Sequence, residues 1–355
     1  MTLTTATATI RERLEDDEER ILSPFAQKSR ASKGRARPEA PDPVRPIFQH
    51  DRDRIIHSKA FRRLAGKTQV FLAPEGDHYR TRITHTLEVA QIARTVTRAL
   101  GLNESLTEAI VMGHDLGHTP FGHAGEKVLA KLMPDGFHHV KQSIRVVEKL
   151  ERDGRGLNLS VEVRDGILKH SKGKGHIISD NPNLMAMTLE GQIVRISDIV
   201  AYVNHDLDDA VRGKVVDPTS VPASILAVLG QTHGERIARM VNDMVSASRL
   251  EDKRQIQMSD EVLDALIALR DFLYETVYER PEIRGEFEKA QRIIGELWAY
   301  FNTHGDEFRA RHWPKGIPES DGLPRAVADF ITGMTDRYAL RVYEEYFMPH
   351  RWKVY

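Results

Sequence analysis

Apolar residues recur at helical spacing along most of the chain. In "RTRITHTLEVAQIARTVTRAL" (80–100), Ile83, Leu87, Ala90, Ile92, Ala93 and Val96 form one stripe, which Gly101 ends. Asn103 then stands where a helix cap belongs, ahead of "ESLTEAIVMGHDLGH". "NLMAMTLEGQIVRISDIVAYVNHDLDDAV" keeps the same period with few polar positions, which predicts a long and central helix. "SDEVLDALIALRDFLYETVY" and "LPRAVADFITGMTDRYALRVYEEYF" continue the pattern. Alternating strand-like runs are scarce, so the expected fold class is all-α. One stretch departs from the period. "SKGRARPEAPDPVRP" (32–46) is Pro-rich, charged and aperiodic. Residues 1–46 are therefore expected to be a mobile or extended arm, and 47–355 a single body without internal repeats.

The period does not account for "GHDLGHTPFGHAGE" (113–126), which gathers His114, His118 and His123 beside Asp115 and Glu126. Turns favour Asn, Asp and Ser rather than repeated His. Histidine with carboxylate suits a borderline metal or the movement of protons. The glycines and Pro120 predict backbone that bends tightly or approaches a ligand closely.

Composition narrows the context. The 355 residues are 40% hydrophobic and 29% charged with a formal net charge of -1, which argues against a general nucleic-acid coat. Cysteine is absent, which excludes disulfides, thiolate zinc sites and a cysteine nucleophile. No apolar run is long enough to span a bilayer, and "MTLTTATATIRERLEDDEER" lacks a signal-peptide core. The expectation is a soluble cytoplasmic protein with no membrane partner.

His85, His114, Asp115 and Asp198 lie far apart in sequence but on helical segments, and form a candidate ligand set. Asp198 stands inside the apolar run "IVRISDIVAY", where a carboxylate needs a partner or a metal. Two imidazoles and two carboxylates suit Mn²⁺ or Mg²⁺, with Fe²⁺, Zn²⁺ or Co²⁺ as further options. On helices, Glu126 shares a face with His123, and Arg82 with His85. Asp198, Tyr202 and Asp206 likewise lie four residues apart on one face.

"RITH", "GHDLGHTPFGHAGE" and "SDIVAYVNHD" resemble the motifs of the HD-domain metal phosphohydrolases. Together with "DRDRIIHSKAFRRLAGKTQVF" and "FITGMTDRYALR" they are most similar to the deoxyguanosine triphosphate triphosphohydrolase-like branch. The resemblance covers nearly all of the chain after the arm. It implies an HD-domain helical bundle with additional helices, and a metal held by His85, His114, Asp115 and Asp198. The implied catalytic pair is His123 and Glu126. Arg82, His118 and His139 are implied phosphate contacts, and Gln69, Tyr202 and Asp206 sugar contacts. In "ILKHSKGKG", Lys169 and His170 read as phosphate or helix-end cations, and Tyr338 completes the substrate-binding set as a base neighbour. The implied reaction is hydrolysis of dGTP or several dNTPs to deoxynucleoside and inorganic triphosphate by a homo-oligomer, with an activating nucleotide or single-stranded DNA as a further partner class. Two alternatives stand beside it. One is an HD phosphohydrolase acting on nucleoside monophosphates or signalling nucleotides. The other is a nucleotide- or single-strand-DNA-binding regulator, motivated by Arg62, Arg63, Lys172 and Lys174. "KAFRRL" also reads as an interface or regulatory patch.

Overall fold

The computed structural model describes residues 8–69, 80–171, 176–179, 181, 183–252, 254–278 and 280–349. Lys172 and Lys174 lie outside them. The described residues hold no β-strand, only two isolated bridges, Arg35 with Ser160 and Thr68 with Thr81. Among the described residues there are sixteen α-helices. In order they are α1 (Ile10–Ile21), α2 (Ile47–Ile56), α3 (Lys59–Arg63), α4 (Arg82–Ala99), α5 (Glu104–His114), α6 (His123–Leu132), α7 (His139–Arg145) and α8 (Val161–Lys169). Then follow α9 (Leu189–Arg212), α10 (Ala223–Leu229), α11 (His233–Ala247), α12 (Asp260–Leu273), α13 (Pro281–Thr303), α14 (Gly305–Arg311), α15 (Leu323–Thr332) and α16 (Asp336–Phe347).

Local chemistry explains several boundaries. Asn103 caps α5, its side chain accepting from the N–H groups of Ser105 and Leu106. Thr188 caps α9 in the same way, so this helix starts later than the apolar run that predicted it. The last helical pattern is two helices, because the chain breaks at Gly333 and Thr335 caps α16. On α4 the buried face differs from the expected stripe. Leu87 is 55% exposed, while Arg82, His85 and Thr86 turn inward with Val89, Ala90 and Ile92.

The segment expected as an arm contains α1, whose capping box pairs Thr9 with Glu12. Its sequence is too charged to show an apolar period; the Arg11–Glu15 ion pair at 2.7 Å supports it instead. The Pro-rich stretch that follows is non-helical and lies on the body. Ser32 and the Lys33 N–H both donate to Glu162, and Arg35 pairs with the buried Asp51. The Gln27 and Asn103 N–H groups share Glu190 as acceptor, each at 3.0 Å.

Two apolar clusters form beneath these helices. The larger gathers residues of α2, α4, α5, α8, α9 and α10–α12, with Ile110, Ile193, Val200 and Leu266 fully buried. The smaller gathers α6, α13, α15 and α16 around Leu129, Leu297, Phe301 and Ile331. The 113–126 segment runs from the end of α5, in the first cluster, to the start of α6, in the second.

Asn103→Ala removes both the α5 cap and the side-chain tether to the Gln27 carbonyl. It is expected to lower stability by about 1–2 kcal/mol. Urea unfolding checks this: the midpoint falls with an unchanged slope, whereas an unchanged midpoint refutes the role given to the cap.

Candidate metal centre

The end of α5 carries the first two donors. His114 is fully buried, and its Nδ1 lies 2.6 Å from the Val111 carbonyl, which only a protonated Nδ1 can satisfy. The Nε2 lone pair is thereby left to face inward, and it has no hydrogen-bond partner. It stands 3.4 Å from an Asp115 oxygen and 3.9 Å from Asp198 Oδ1. From α4, His85 Nε2 meets Asp198 Oδ1 at 3.0 Å. Donor atoms of His85, His114 and Asp115 lie within 4.8 Å of one another. Two imidazoles and two carboxylates therefore converge from α4, from α5 and its C-cap, and from α9, around an Nε2 that no group among the described residues satisfies. This is a donor set that fits a divalent metal ion.

Asp115 is buried. Burial opposes its charge, but His114, His118 and Arg82 outweigh it and hold the carboxyl well below its usual range. Arg82 Nη1 donates to Asp115 Oδ2 at 2.8 Å, and His118 Nε2 lies 3.1 Å from Oδ1. Asp198 shows the same balance, its carboxyl lowered to about 2 against burial by His85 and His114.

These donors open onto a cavity of about 570 Å³. Of the residues singled out in the sequence, Gln69, Arg82, His85, Asp115, His118, His123, Glu126, His139, Asp198, Tyr202 and Asp206 line it. His114 lies beneath the wall. Lys169 and Tyr338 are not brought to it: Lys169 pairs with Asp165 at 2.8 Å one turn back on α8, and Tyr338 lines a different cavity. His170, the other cation candidate of that stretch, does line the first cavity. Its Nδ1 is 2.7 Å from the Ile167 carbonyl, and burial, with His114 and His139 nearby, pushes it down to about 3. The ring lies 5.0 Å from that of His114. Tyr274 and Phe287 also line the cavity, from beyond the central helix, and no motif marked them.

Glu126 has a different principal partner from the one its spacing suggested. It lies 3.7 Å from His123, whose side chain is 70% exposed, but 2.9 Å from His139 Nδ1. It also accepts the His139 N–H at 2.9 Å, and the His139 ring stacks on His118 at 4.0 Å. His123 and His139 together depress the Glu126 carboxyl far below its usual range despite burial.

The loop that presents these groups is anchored on three sides. Ser143 of α7 accepts the Gly117 N–H and donates to the His114 carbonyl. A Cβ at Gly117 would stand 2.1 Å from the Ser143 nitrogen, so only glycine fits beneath α7. Asp336 accepts the Phe121 N–H at 2.8 Å with one oxygen and the Thr68 N–H at 2.9 Å with the other. This bond holds Phe121 at φ 60, a left-handed conformation costly for a side chain of its size. Lys67, fully enclosed, donates to the His118 and Thr332 carbonyls at 2.5 and 2.8 Å.

At the far end of α9, His205 lies between Glu88 (2.8 Å) and Asp206 (3.2 Å). Burial opposes the imidazolium, yet the two carboxylates raise it to about 9.

Two outcomes follow. Asp336→Ala strips the acceptors from two N–H groups and is expected to cost about 2–4 kcal/mol, with exchange broadening at Phe121 and Thr68 in amide NMR. Sharp, unshifted signals there contradict the anchoring role. His205 has a folded pKa above its unfolded value of roughly 6.5, so its contribution to stability is full below that pH and is lost as pH rises through about 9. Imidazole NMR should show a midpoint near 9, and one near 6.5 refutes the carboxylate clamp.

The HD domain family matches residues 82–203, and the phosphohydrolase-associated domain matches residues 256–345. These spans contain, respectively, the four candidate ligands and most of the second cluster. A deoxyguanosinetriphosphate triphosphohydrolase-like protein of Caldanaerobacter subterraneus subsp. tengcongensis is 55% identical over 97% of this chain and 97% of its own length. A protein of the same description from Desulfatibacillum aliphaticivorans is 52% identical over 96% of this chain and 99% of its own, and one from Clostridium tetani is 43% identical over 96% and 97%. No described helix is long and apolar enough to cross a membrane. The helical bundle, the clustered His and Asp donors and these full-length similarities lead to one conclusion: the chain belongs to the deoxyguanosinetriphosphate triphosphohydrolase-like family of HD-domain proteins.

Proposed function

We propose that this chain is a metal-dependent dNTP triphosphohydrolase, cleaving dGTP or several dNTPs to the deoxynucleoside and inorganic triphosphate. The observation that carries the reading is the unpartnered, buried His114 Nε2 among His85, Asp115 and Asp198, at the wall of a cavity large enough for a nucleotide. His85, His114, Asp115 and Asp198 would hold the ion, with Mn²⁺ or Mg²⁺ the ions proposed. When bound, it supplies Lewis-acid stabilisation of charge on a phosphate oxygen.

The remaining residues divide the work. Arg82 keeps Asp115 ionised and offers its guanidinium to the phosphates, with His118 beside it. Glu126 accepts the His139 Nδ1 proton and leaves Nε2 to exchange a proton with the reacting phosphate or the departing sugar oxygen. His123, on the rim and 3.7 Å from the same carboxylate, is the second imidazole proposed to carry a proton, from the exposed side of the cavity. Tyr202 packs against the sugar, while Gln69 and Asp206 meet its hydroxyl groups. A ribose then brings a 2′-hydroxyl into a packed wall with no spare partner. A homo-oligomeric state and an activating nucleotide rest on the family resemblance, single-stranded DNA as a partner on the basic residues Arg62, Arg63, Lys172 and Lys174, and a cytoplasmic location on the sequence composition; all belong to this proposal.

³¹P NMR of a dNTP mixture incubated with the protein and Mn²⁺ tests the reaction. Intact triphosphate with free deoxynucleoside is the expected result; pyrophosphate or orthophosphate places the attack at another bond and overturns the reading. His123→Ala and His139→Ala should each retain metal and lower kcat by roughly 10² or more. Loss of metal in either variant, or undiminished turnover, contradicts the proton-handling roles.

A further inference from the structure

Glycine stands on both sides of the contact between α5 and α8. A Cβ at Gly166 of α8 would lie 2.5 Å from Ile110 Cδ1, and one at Gly113 of α5 would lie 2.4 Å from Ile167 Cδ1. The close approach brings two helix ends together, and each carries a histidine: His114 on α5 and His170 just past α8. Both rings are tethered alike. Nδ1 of His114 is 2.6 Å, and Nδ1 of His170 2.7 Å, from the carbonyl three residues back. Arg195 of α9 fixes the same end of α8, donating to the Lys169 carbonyl at 3.2 Å.

The tether decides what His170 offers the cavity. A carbonyl accepts only from an N–H, so Nδ1 carries the hydrogen. Buried between the rings of His114 and His139, the imidazole stays neutral and Nε2 keeps its lone pair. His170 is therefore an acceptor, not the cation that its place beside Lys169 suggested. One nitrogen or oxygen of each of Asp115, His139 and His170 lies within 4.8 Å of the others, and all three residues are buried. A hydrogen bond from water is about 2.8 Å long, so groups this close can share one water molecule. Asp115 is engaged by Arg82 and His118, and His139 Nδ1 by Glu126. His170 adds an acceptor to the same space.

We propose that His170 is a further catalytic residue, whose Nε2 accepts a hydrogen bond from the attacking water and holds that water beside Asp115 for His139. The role deepens the hydrolase reading and rests on it. The water donates one hydrogen to His170 Nε2 and the other to His139 Nε2, which is bare because Nδ1 gives its hydrogen to Glu126. With both hydrogens held, its lone pairs are oriented for attack before the step begins. The water oxygen bonds to phosphorus as the bond from phosphorus to the sugar O5′ breaks. His139 takes the second hydrogen as a proton and passes one on to O5′. The first hydrogen leaves on the triphosphate, so His170 ends the step as it began.

Two substitutions separate the tether from the acceptor. His170→Asn keeps an N–H for the Ile167 carbonyl but has nothing at the place of Nε2, whereas His170→Gln reaches that place with an amide oxygen. In steady-state dNTP turnover with Mn²⁺, His170→Asn should lower kcat by roughly 10², leave KM within about twofold and retain one equivalent of metal. His170→Gln should recover at least about tenfold of that loss. A raised KM with kcat unchanged would make His170 a phosphate contact, and loss of metal would make it a support of the metal centre. Either overturns the proposal, as does a His170→Gln no faster than His170→Asn. Imidazole ¹⁵N NMR of the metal-free wild type gives a readout without turnover. A hydrogen on Nδ1 and none on Nε2 is expected at neutral pH; a hydrogen on Nε2 refutes the acceptor. If the wild type releases a product other than triphosphate, the hydrolase reading falls, while the order of the three proteins in kcat still decides the role of His170. Absence of turnover overturns both.

Discussion

The buried Asp115 carboxylate is the constraint on which the site depends. An isolated carboxylate at that depth costs several kcal/mol, and removing one partner from such a pair costs about 3–5 kcal/mol. The fold meets the demand with Arg82 on one oxygen and His118 on the other, and with His114 close by. Those partners come from α4, the loop and α5, so satisfying one charge fixes the relation of three segments. Asp198, supplied by α9, adds a second negative group to the same space, and a cation is what the arrangement still calls for.

Around that charge, the loop from 113 to 126 is held rather than left to choose its shape. Ser143, Asp336 and Lys67 take its backbone groups from three directions. The last two reach it from segments distant in sequence, at α16 and after α3. The strained turn at Phe121 persists because Asp336 binds its N–H. The loop also bridges the two apolar clusters, so the cavity sits at their seam, with α4, α5 and α9 on one side and α6 and α13 on the other.

Much of this was legible in the sequence where a residue contradicts its surroundings. Asp198 in an apolar run and histidines where turn residues belong both pointed inward; Asp198, His114 and His118 are inward, while His123 stays on the rim. Asn103 capped the helix it was expected to cap. Legibility fails where polarity is itself the buried feature. The α4 stripe placed Leu87 inside because apolar spacing cannot anticipate a helix that turns an arginine and a histidine inward. α1 was missed for the opposite reason, since ion pairs and a capping box stand in for an apolar face. Between Lys169 and His170 the sequence offered no choice; a helix end turned one toward Asp165 and the other toward His114. Spacing likewise favoured His123 as the partner of Glu126, whereas the start of α7 delivers His139 closer. Tyr274 and Phe287 arrive through tertiary packing alone, which no local signal records.

The central claim is that the four converging donors form a metal site built into the folded protein. Thermal unfolding of chelator-stripped protein, with and without Mn²⁺, tests it most directly, beside the same measurement on His114→Ala. A ligand that binds only the native state at a hundredfold excess over Kd adds about 2.7 kcal/mol. Mn²⁺ is expected to raise the Tm of the wild type by several degrees with one equivalent retained, and His114→Ala to lose both. An unchanged Tm with no retained metal in the wild type, or an equal rise in His114→Ala, would contradict it.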